Sequence, residues 1–233
     1  MLINSNTILK NDRLWLIPYL KEHVPQYHQW MKTEELLELT ASEPLSLEEE
    51  YQMQDSWRED EDKCTFILFV AEKEELINES NDTTQIKGKI IGDVNLFLND
   101  FEDKNSAEIE IMVAEKSYRG KGLGLLALLM MMEYGIYYLY NFIQPNYLLG
   151  VASLNLTRIT SKIGESNTSS LKLFKEKLQF QQISYSTAFK EVTLELKANS
   201  ESLRKLQSDL NVNSNYTVVE LDTIKLKYDN FNP

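Results

Sequence analysis

Two kinds of residue that do chemistry lie close together between Glu108 and Gly124. Arg119-Gly120-Lys121-Gly122-Leu123-Gly124 packs three of the chain's eight glycines into five residues, beside an arginine and a lysine. Glycine lets a backbone approach closely and adopt positive φ, and a helix starting there presents unpaired N–H groups and a partial positive charge. Such a turn holds an anion. Just upstream, Glu108, Glu110 and Met112 alternate with Ile109, Ile111 and Val113, so a strand's period of two sets both carboxylates on one face. Periodicity alone reads that face as solvated, with a general base as the alternative. His23 and His28, the only histidines, are spaced by five and lack clustered carboxylates, so no metal site is expected.

The elements that must position these residues follow from the pattern around them. From Gly122 to about Phe142 the chain is almost continuously apolar, close to membrane-spanning length. Glu133, Gly135 and several tyrosines interrupt the run, which favours a helix buried against a sheet, its methionines filling core. Upstream, Arg13 to Leu20 reads as a strand near an edge because of Pro18, and Glu22 to Lys32 as a helix. Leu39 to Pro44 is a loop. Ser46 and Glu49 form a capping box for a helix from Leu47 to Trp57. Cys64 to Ala71 is a buried strand, Glu72 to Gln85 a long polar loop, and Gly88 to Leu98 the return strand with a bulge at Gly92.

Downstream, Gln144 to Asn155 is a connector and Leu156 to Ile163 a strand. Ser170 to Leu178 forms a helix presenting Leu171, Phe174 and Leu178, and Phe180 to Ser186 with Phe189 to Leu196 a hairpin. Strands run consecutively before the glycine turn and alternate with helices after it. The fold class is therefore α+β with a mixed sheet. The main domain covers residues 1–197. Residues 198–233 form a C-terminal extension: an amphipathic helix from Ala198 to Leu210, a linker from Asn211 to Asn215, and a stretch from Val218 to Tyr228 that is a strand or a disordered tail.

At 233 residues with a net charge of −12, the chain has ample core and no basic stripe for phosphate neutralisation, so no nucleic-acid partner is expected. The acidity keeps the protein soluble or attracts cationic amines. The lone Cys64 excludes an internal disulfide. The N-terminal residues carry no secretory or transit pattern. A cytoplasmic protein without a membrane span is expected.

Three phosphate-binding loops compete for the turn. A Walker loop needs Gly-x-x-x-x-Gly-Lys-Ser/Thr, which nothing here matches. A dinucleotide fingerprint needs Gly-x-Gly-x-x-Gly, whereas Gly120, Gly122 and Gly124 are spaced by two. What remains is Arg-x-x-Gly-x-Gly, read as Arg119, Gly122 and Gly124, and with it the chain resembles the GNAT family of acetyl-CoA-dependent N-acetyltransferases from Arg13 to Leu196. The resemblance implies a mostly antiparallel sheet flanked by helices. It implies that backbone N–H groups of Gly120, Lys121, Gly122, Leu123 and Gly124 cradle the pyrophosphate of acetyl-CoA, with Arg119 and Lys121 adding charge. It also implies that Met112 and Val113 pair with the pantetheine arm, and that Asn167 and the run from Phe174 to Phe180 occupy the next helix. The family's usual tyrosine acid is replaced by Phe174, and that run is one residue longer than usual.

Trp30-Met31-Lys32, Leu39 to Leu45, Lys63 to Ile67 and Glu108 to Met112 together are similar to the N-acetyltransferase 9-like subfamily. That similarity implies a protein substrate, namely the N-termini of α- and β-tubulin. In such a reaction a neutral amine attacks the thioester and a base takes its proton. Granted the family, Glu108 and Glu110 become the candidates for that base. Cys64 is not expected to act as a nucleophile, since no histidine is identifiably paired with it. The alternatives are acetylation of a polyamine or small amine, or an acetyl-CoA-binding protein without turnover.

Overall fold

A computed structural model describes residues 1–76, 84–98, 100, 102–138, 156–197 and 199–228. In chain order the elements are β1 (Thr7–Lys10), β2 (Trp15–Pro18), α1 (Val24–Trp30), α2 (Glu34–Leu39), α3 (Leu47–Glu59), β3 (Lys63–Leu76), β4 (Thr84–Phe97) and β5 (Ser106–Val113). There follow α4 (Leu123–Glu133), β6 (Arg158–Gly164), α5 (Thr168–Lys172), β7 (Gln181–Ser186), β8 (Glu191–Lys197), α6 (Ser200–Leu210), β9 (Thr217–Glu220) and β10 (Ile224–Tyr228). Strand pairing is mixed and mostly antiparallel, as the α+β reading expects. Two compact units divide the chain.

The first unit comprises Met1–Val94, Ile111–Ala127 and Asn215–Pro233. Its strands run β4-β3-β2-β1-β9, and β10 lies parallel on β4. The strand at Trp15–Pro18 is internal, not an edge, because Thr7–Lys10 supplies one neighbour and β3 the other. Pro18 is tolerated as the last residue of the strand, where the ladder ends. Trp15, Ile17, Ile67, Phe69, Ile90 and Met112 share one core with Val24, Tyr27 and Trp30 of α1. The α3 cap forms as its sequence requires: the Glu49 N–H donates to the Ser46 hydroxyl, and the Ser46 N–H donates to the Glu49 carboxylate. Such a cap contributes about 1 kcal/mol.

Strand β3 continues to Leu76 and β4 begins at Thr84, so both ends of the expected loop from Glu72 to Gln85 are strand; its middle lies outside the described residues. The expected final strand from Val218 to Tyr228 is two strands about a short 3-10 turn. They pair with β1 and β4 respectively.

The second unit comprises Asn95–Glu110 and Leu128–Ser214. Its strands run β7-β8-β6-β5. Strands β5 and β6 are parallel in register from Ser106 to Glu108 against Arg158 to Thr160, and the pairing stops there although both strands continue. Leu128 to Met132 are fully buried, as an all-round apolar helix demands. Among the described residues no helix is long and apolar enough to cross a membrane. At Gly135 a Cβ would meet Leu156 Cδ1 at 2.9 Å and Leu96 Cδ1 at 3.1 Å, so a larger residue there would have to push these two side chains aside. The connector from Gln144 to Asn155 lies outside the described residues.

A π-helical turn at Leu173–Lys177 follows α5. It accommodates the extra residue noted between Phe174 and Phe180, since each i→i+5 turn takes in one residue more than an α-turn. The Leu178 N–H accordingly donates to the Leu173 carbonyl at 3.0 Å.

Candidate active site

Strand β5 delivers the chain to the glycine turn. On its β4 side, Gly92 lets the two strands meet so closely that a Cβ there would lie 1.9 Å from the Met112 carbonyl oxygen. The Ile91 carbonyl accepts from both the Ala114 and Glu115 N–H groups, at 2.8 and 3.1 Å. Two donors on one acceptor mark an irregularity whose extra residue lies at Ala114–Glu115, at the end of β5 and opposite Ile91, rather than at Gly92, where the sequence placed a bulge. Met112 is 7% exposed and its carbonyl is turned toward β4. The Val113 carbonyl, next along the strand, is taken by Arg119 Nε.

A 3-10 turn at Lys116–Tyr118 leads to extended Arg119. Gly120 and Gly122 then take φ of 72° and 77°, left-handed values that L side chains rarely adopt. A Cβ at Gly120 would meet nothing within 4 Å. Helix α4 opens at Leu123, and its first bond runs from the Leu126 N–H to the Gly122 carbonyl. The N–H groups of Leu123, Gly124 and Leu125 precede that bond and are the helix's uncapped donors. A positive-φ glycine turn with open space before a helix start fits a pyrophosphate.

The turn is braced from outside. Arg119 donates from Nε to the Val113 carbonyl at 2.7 Å, from Nη2 to the Ala114 carbonyl at 3.2 Å, and from Nη1 to Glu35 Oε1 of α2 at 2.5 Å. Glu35 Oε2 takes Lys116 Nζ at 2.5 Å. The hydrogen bonds from Lys116 and then Arg119 hold the Glu35 carboxyl below the usual carboxylate range. Lys121 sets its ammonium 5.3 Å from the Tyr118 ring centre, and its carbonyl accepts from Arg13 Nη2 at 2.7 Å. Beside this brace lies a cleft of about 340 Å³, lined by Trp30, Leu36, Glu35, Glu115 and Arg119 among others. The Trp30 indole N–H donates to Glu115 Oε1 at 2.8 Å.

The expected site residues fall into two groups. Met112, Val113 and Arg119 to Gly124 belong to the first unit; Glu108, Glu110 and Asn167 belong to the second. Glu108 Oε2 accepts from Lys162 Nζ at 2.6 Å, while Glu110 is exposed. That hydrogen bond, foremost, raises the Lys162 ammonium above its ordinary range. Asn167 Oδ1 accepts from the Ser170 N–H at 3.1 Å and caps α5. Phe174 is 1% exposed and packs edge-on against Phe180, ring centres 5.0 Å apart.

The remaining titratable groups have structural settings. Burial pushes the Cys64 thiol up to about 12, which removes it as a nucleophile. Burial pushes His23 down to about 3, and its Nδ1 accepts from the Leu20 N–H at 3.1 Å. Glu50 Oε1 lies 3.8 Å from His28 Nδ1, and burial pushes the Glu50 carboxyl up to about 7. Among the described residues no cluster of three metal-ligating side chains forms. Arg13, Glu35 and Glu115 are missed by sequence reasoning. Their partners stand 84 to 108 residues away, and no local period signals such a pairing.

The Acetyltransferase (GNAT) domain model matches residues 13–181. The chain belongs to the GNAT acetyltransferase family, and acetyl-CoA is the acyl donor of its reaction. It is 48% identical over 197 residues to human Alpha/beta-tubulin-N-acetyltransferase 9, covering 84% of this chain and 86% of that one. It is likewise 48% identical over 200 residues to an N-acetyltransferase 9-like protein of Nematostella vectensis, covering 86% and 90%. In fold it is similar to spermidine N-acetyltransferase from Vibrio cholerae, solved with CoA and spermine. The TM-score is 0.59 at 18% identity, over 80% of this chain and 96% of that one.

Proposed function

We propose that this acetyltransferase transfers acetyl to the N-terminal α-amine of a protein, with tubulin as substrate, in the cytoplasm. The observation that carries the acceptor is the 48% identity, over most of both chains, with a human protein named for tubulin acetylation. Acetyl-CoA, when bound, supplies the activated acyl group. In this reading the N–H groups from Gly120 to Gly124 hold its pyrophosphate, and the backbone of Val113 faces its pantetheine arm. Asn167 holds the start of α5 through its cap.

An α-amine has a pKa of about 8 and is partly neutral at pH 7, so a modest base suffices. Glu110 is exposed and is the candidate to take that proton. Glu108 is held by the Lys162 ammonium and would have to surrender that hydrogen bond to act. The cleft beside Trp30 and Glu115, at about 340 Å³, falls in the size range of small-molecule and side-chain sites, roughly 300–1,000 Å³.

Purified protein incubated with acetyl-CoA, tubulin N-terminal peptides and polyamines tests the assignment by product mass. Acetylated peptide with unmodified spermidine is expected. Acetylated spermidine alone would move the enzyme to the polyamine class.

A further inference from the structure

The glycine motif brings two cations to the turn, of which Arg119 is committed elsewhere and Lys121 is exposed beside a tyrosine ring. Arg119 directs Nε, Nη1 and Nη2 to Val113, Glu35 and Ala114 respectively. Turning outward would give up both carbonyl bonds and leave the Glu35 carboxylate to Lys116. Lys121 lies over the Tyr118 ring. Arg119 therefore acts as a brace that joins the end of β5 to the turn.

Arg13 is placed differently. It sits in the turn joining β1 to β2, which is fixed on both sides. The Asn11 N–H donates to the Leu14 carbonyl at 3.1 Å, Asn11 Nδ2 donates to the Asn215 carbonyl at 2.7 Å, and the Arg13 N–H donates to Asn11 Oδ1 at 3.0 Å. From that anchor its guanidinium reaches the glycine turn, where Nη2 bonds the Lys121 carbonyl and lies 4.0 Å from a Cβ built on Gly122. The side chain is exposed, and among the described residues no carboxylate pairs with it. A guanidinium held by one N–H, with the rest of its fork exposed beside positive-φ glycines, matches phosphate oxygens in shape and charge.

Resting on the reading of this turn as the pyrophosphate cradle, we propose that Arg13, 106 positions before Arg119, supplies the guanidinium that pairs with the phosphates of acetyl-CoA. Arg119 is the positioning residue that keeps the cradle in shape.

Calorimetric dissociation constants for CoA and for S-acetylpantetheine, which has no phosphate, separate the two roles. They are measured in wild type, Arg13→Met, Arg13→Lys and Arg119→Met, with thermal melts as a fold control. Arg13→Met is expected to weaken CoA by about tenfold, the scale of one charge-assisted phosphate contact. S-Acetylpantetheine should be unaffected, and Arg13→Lys should recover part of the loss. The Arg13→Met deficit should also shrink as salt rises. Arg119→Met should weaken both ligands. Unchanged CoA affinity in Arg13→Met, or equal losses on both ligands, overturns the assignment. Wild type that binds CoA no more tightly than S-acetylpantetheine overturns the cradle itself, and the Arg13 role with it.

Discussion

Glu108 of β5, the last position of that strand paired with β6, holds Lys162 of β6 at 2.6 Å, two residues beyond its own ladder partner Thr160. To take a proton from an amine, Glu108 would have to give up that hydrogen bond. Glu110, two residues along, is exposed. Glu110→Gln is therefore expected to lower kcat on the order of tenfold to hundredfold at pH 7, the lower range for a general base. The deficit should shrink toward pH 9 as the ammonium loses its proton to solvent without help. Glu108→Gln should leave kcat nearly unchanged. pH–rate profiles of both variants decide; the reverse ranking would assign the proton to Glu108.

Gly122 sits at φ 77° with only Arg13 Nη2, at 4.0 Å, near its missing Cβ. A bulky side chain there meets no core but must adopt the left-handed φ, so Gly122→Trp should fold, destabilised by roughly 1–2 kcal/mol, while losing detectable CoA binding. Calorimetry with CoA checks this. Wild-type affinity would show that the turn serves another purpose.

Phe174 occupies the position where the family usually has a tyrosine acid, and it is buried against Phe180. Phe174→Tyr is expected to add an unsatisfied hydroxyl, costing roughly 1–3 kcal/mol, without raising kcat. Chemical denaturation and a rate measurement test the two halves separately. A faster enzyme would place this position in contact with the leaving group.

Glu50 gives stability a pH dependence whose sign follows from burial. Its folded pKa, about 7, lies above the ordinary value of 4.5, so the folded state binds the extra proton between those limits. Stability from this group is fully present below about pH 4.5 and is lost as pH rises to about 7. His23, pushed down to about 3 from 6.5, acts oppositely and removes stability as pH falls through that lower window. Glu50→Gln should therefore melt several degrees above wild type at pH 8 and nearly level with it at pH 4.5. A constant difference across that range would mean that the carboxyl ionises without penalty.

Local features of the fold are legible in the sequence because their physics is local. The Ser46–Glu49 capping box, the Gly120–Gly124 turn and the alternation of β5 each depend on residues within a few positions of one another. Even the π-helical turn after α5 is foreshadowed by one surplus residue before Phe180. What escapes is short or long-range. Thr7–Lys10 and α2 (Glu34–Leu39) are too brief for periodicity to register, so β2 was expected at an edge. The Arg13, Glu35 and Glu115 contacts arise only when distant segments meet. Arg119 is legible as part of the motif, but its inward orientation is set by Glu35, which no spacing rule connects to it.

The most direct test of the central claim is to incubate the protein with isotope-labelled acetyl-CoA and unacetylated tubulin, then map the label by peptide mass spectrometry. Label on the α-amine of the tubulin N-terminal peptides, appearing more slowly in Glu110→Gln, is the expected result. Label confined to lysine side chains, or none on tubulin while spermidine in the same mixture is acetylated, would contradict it.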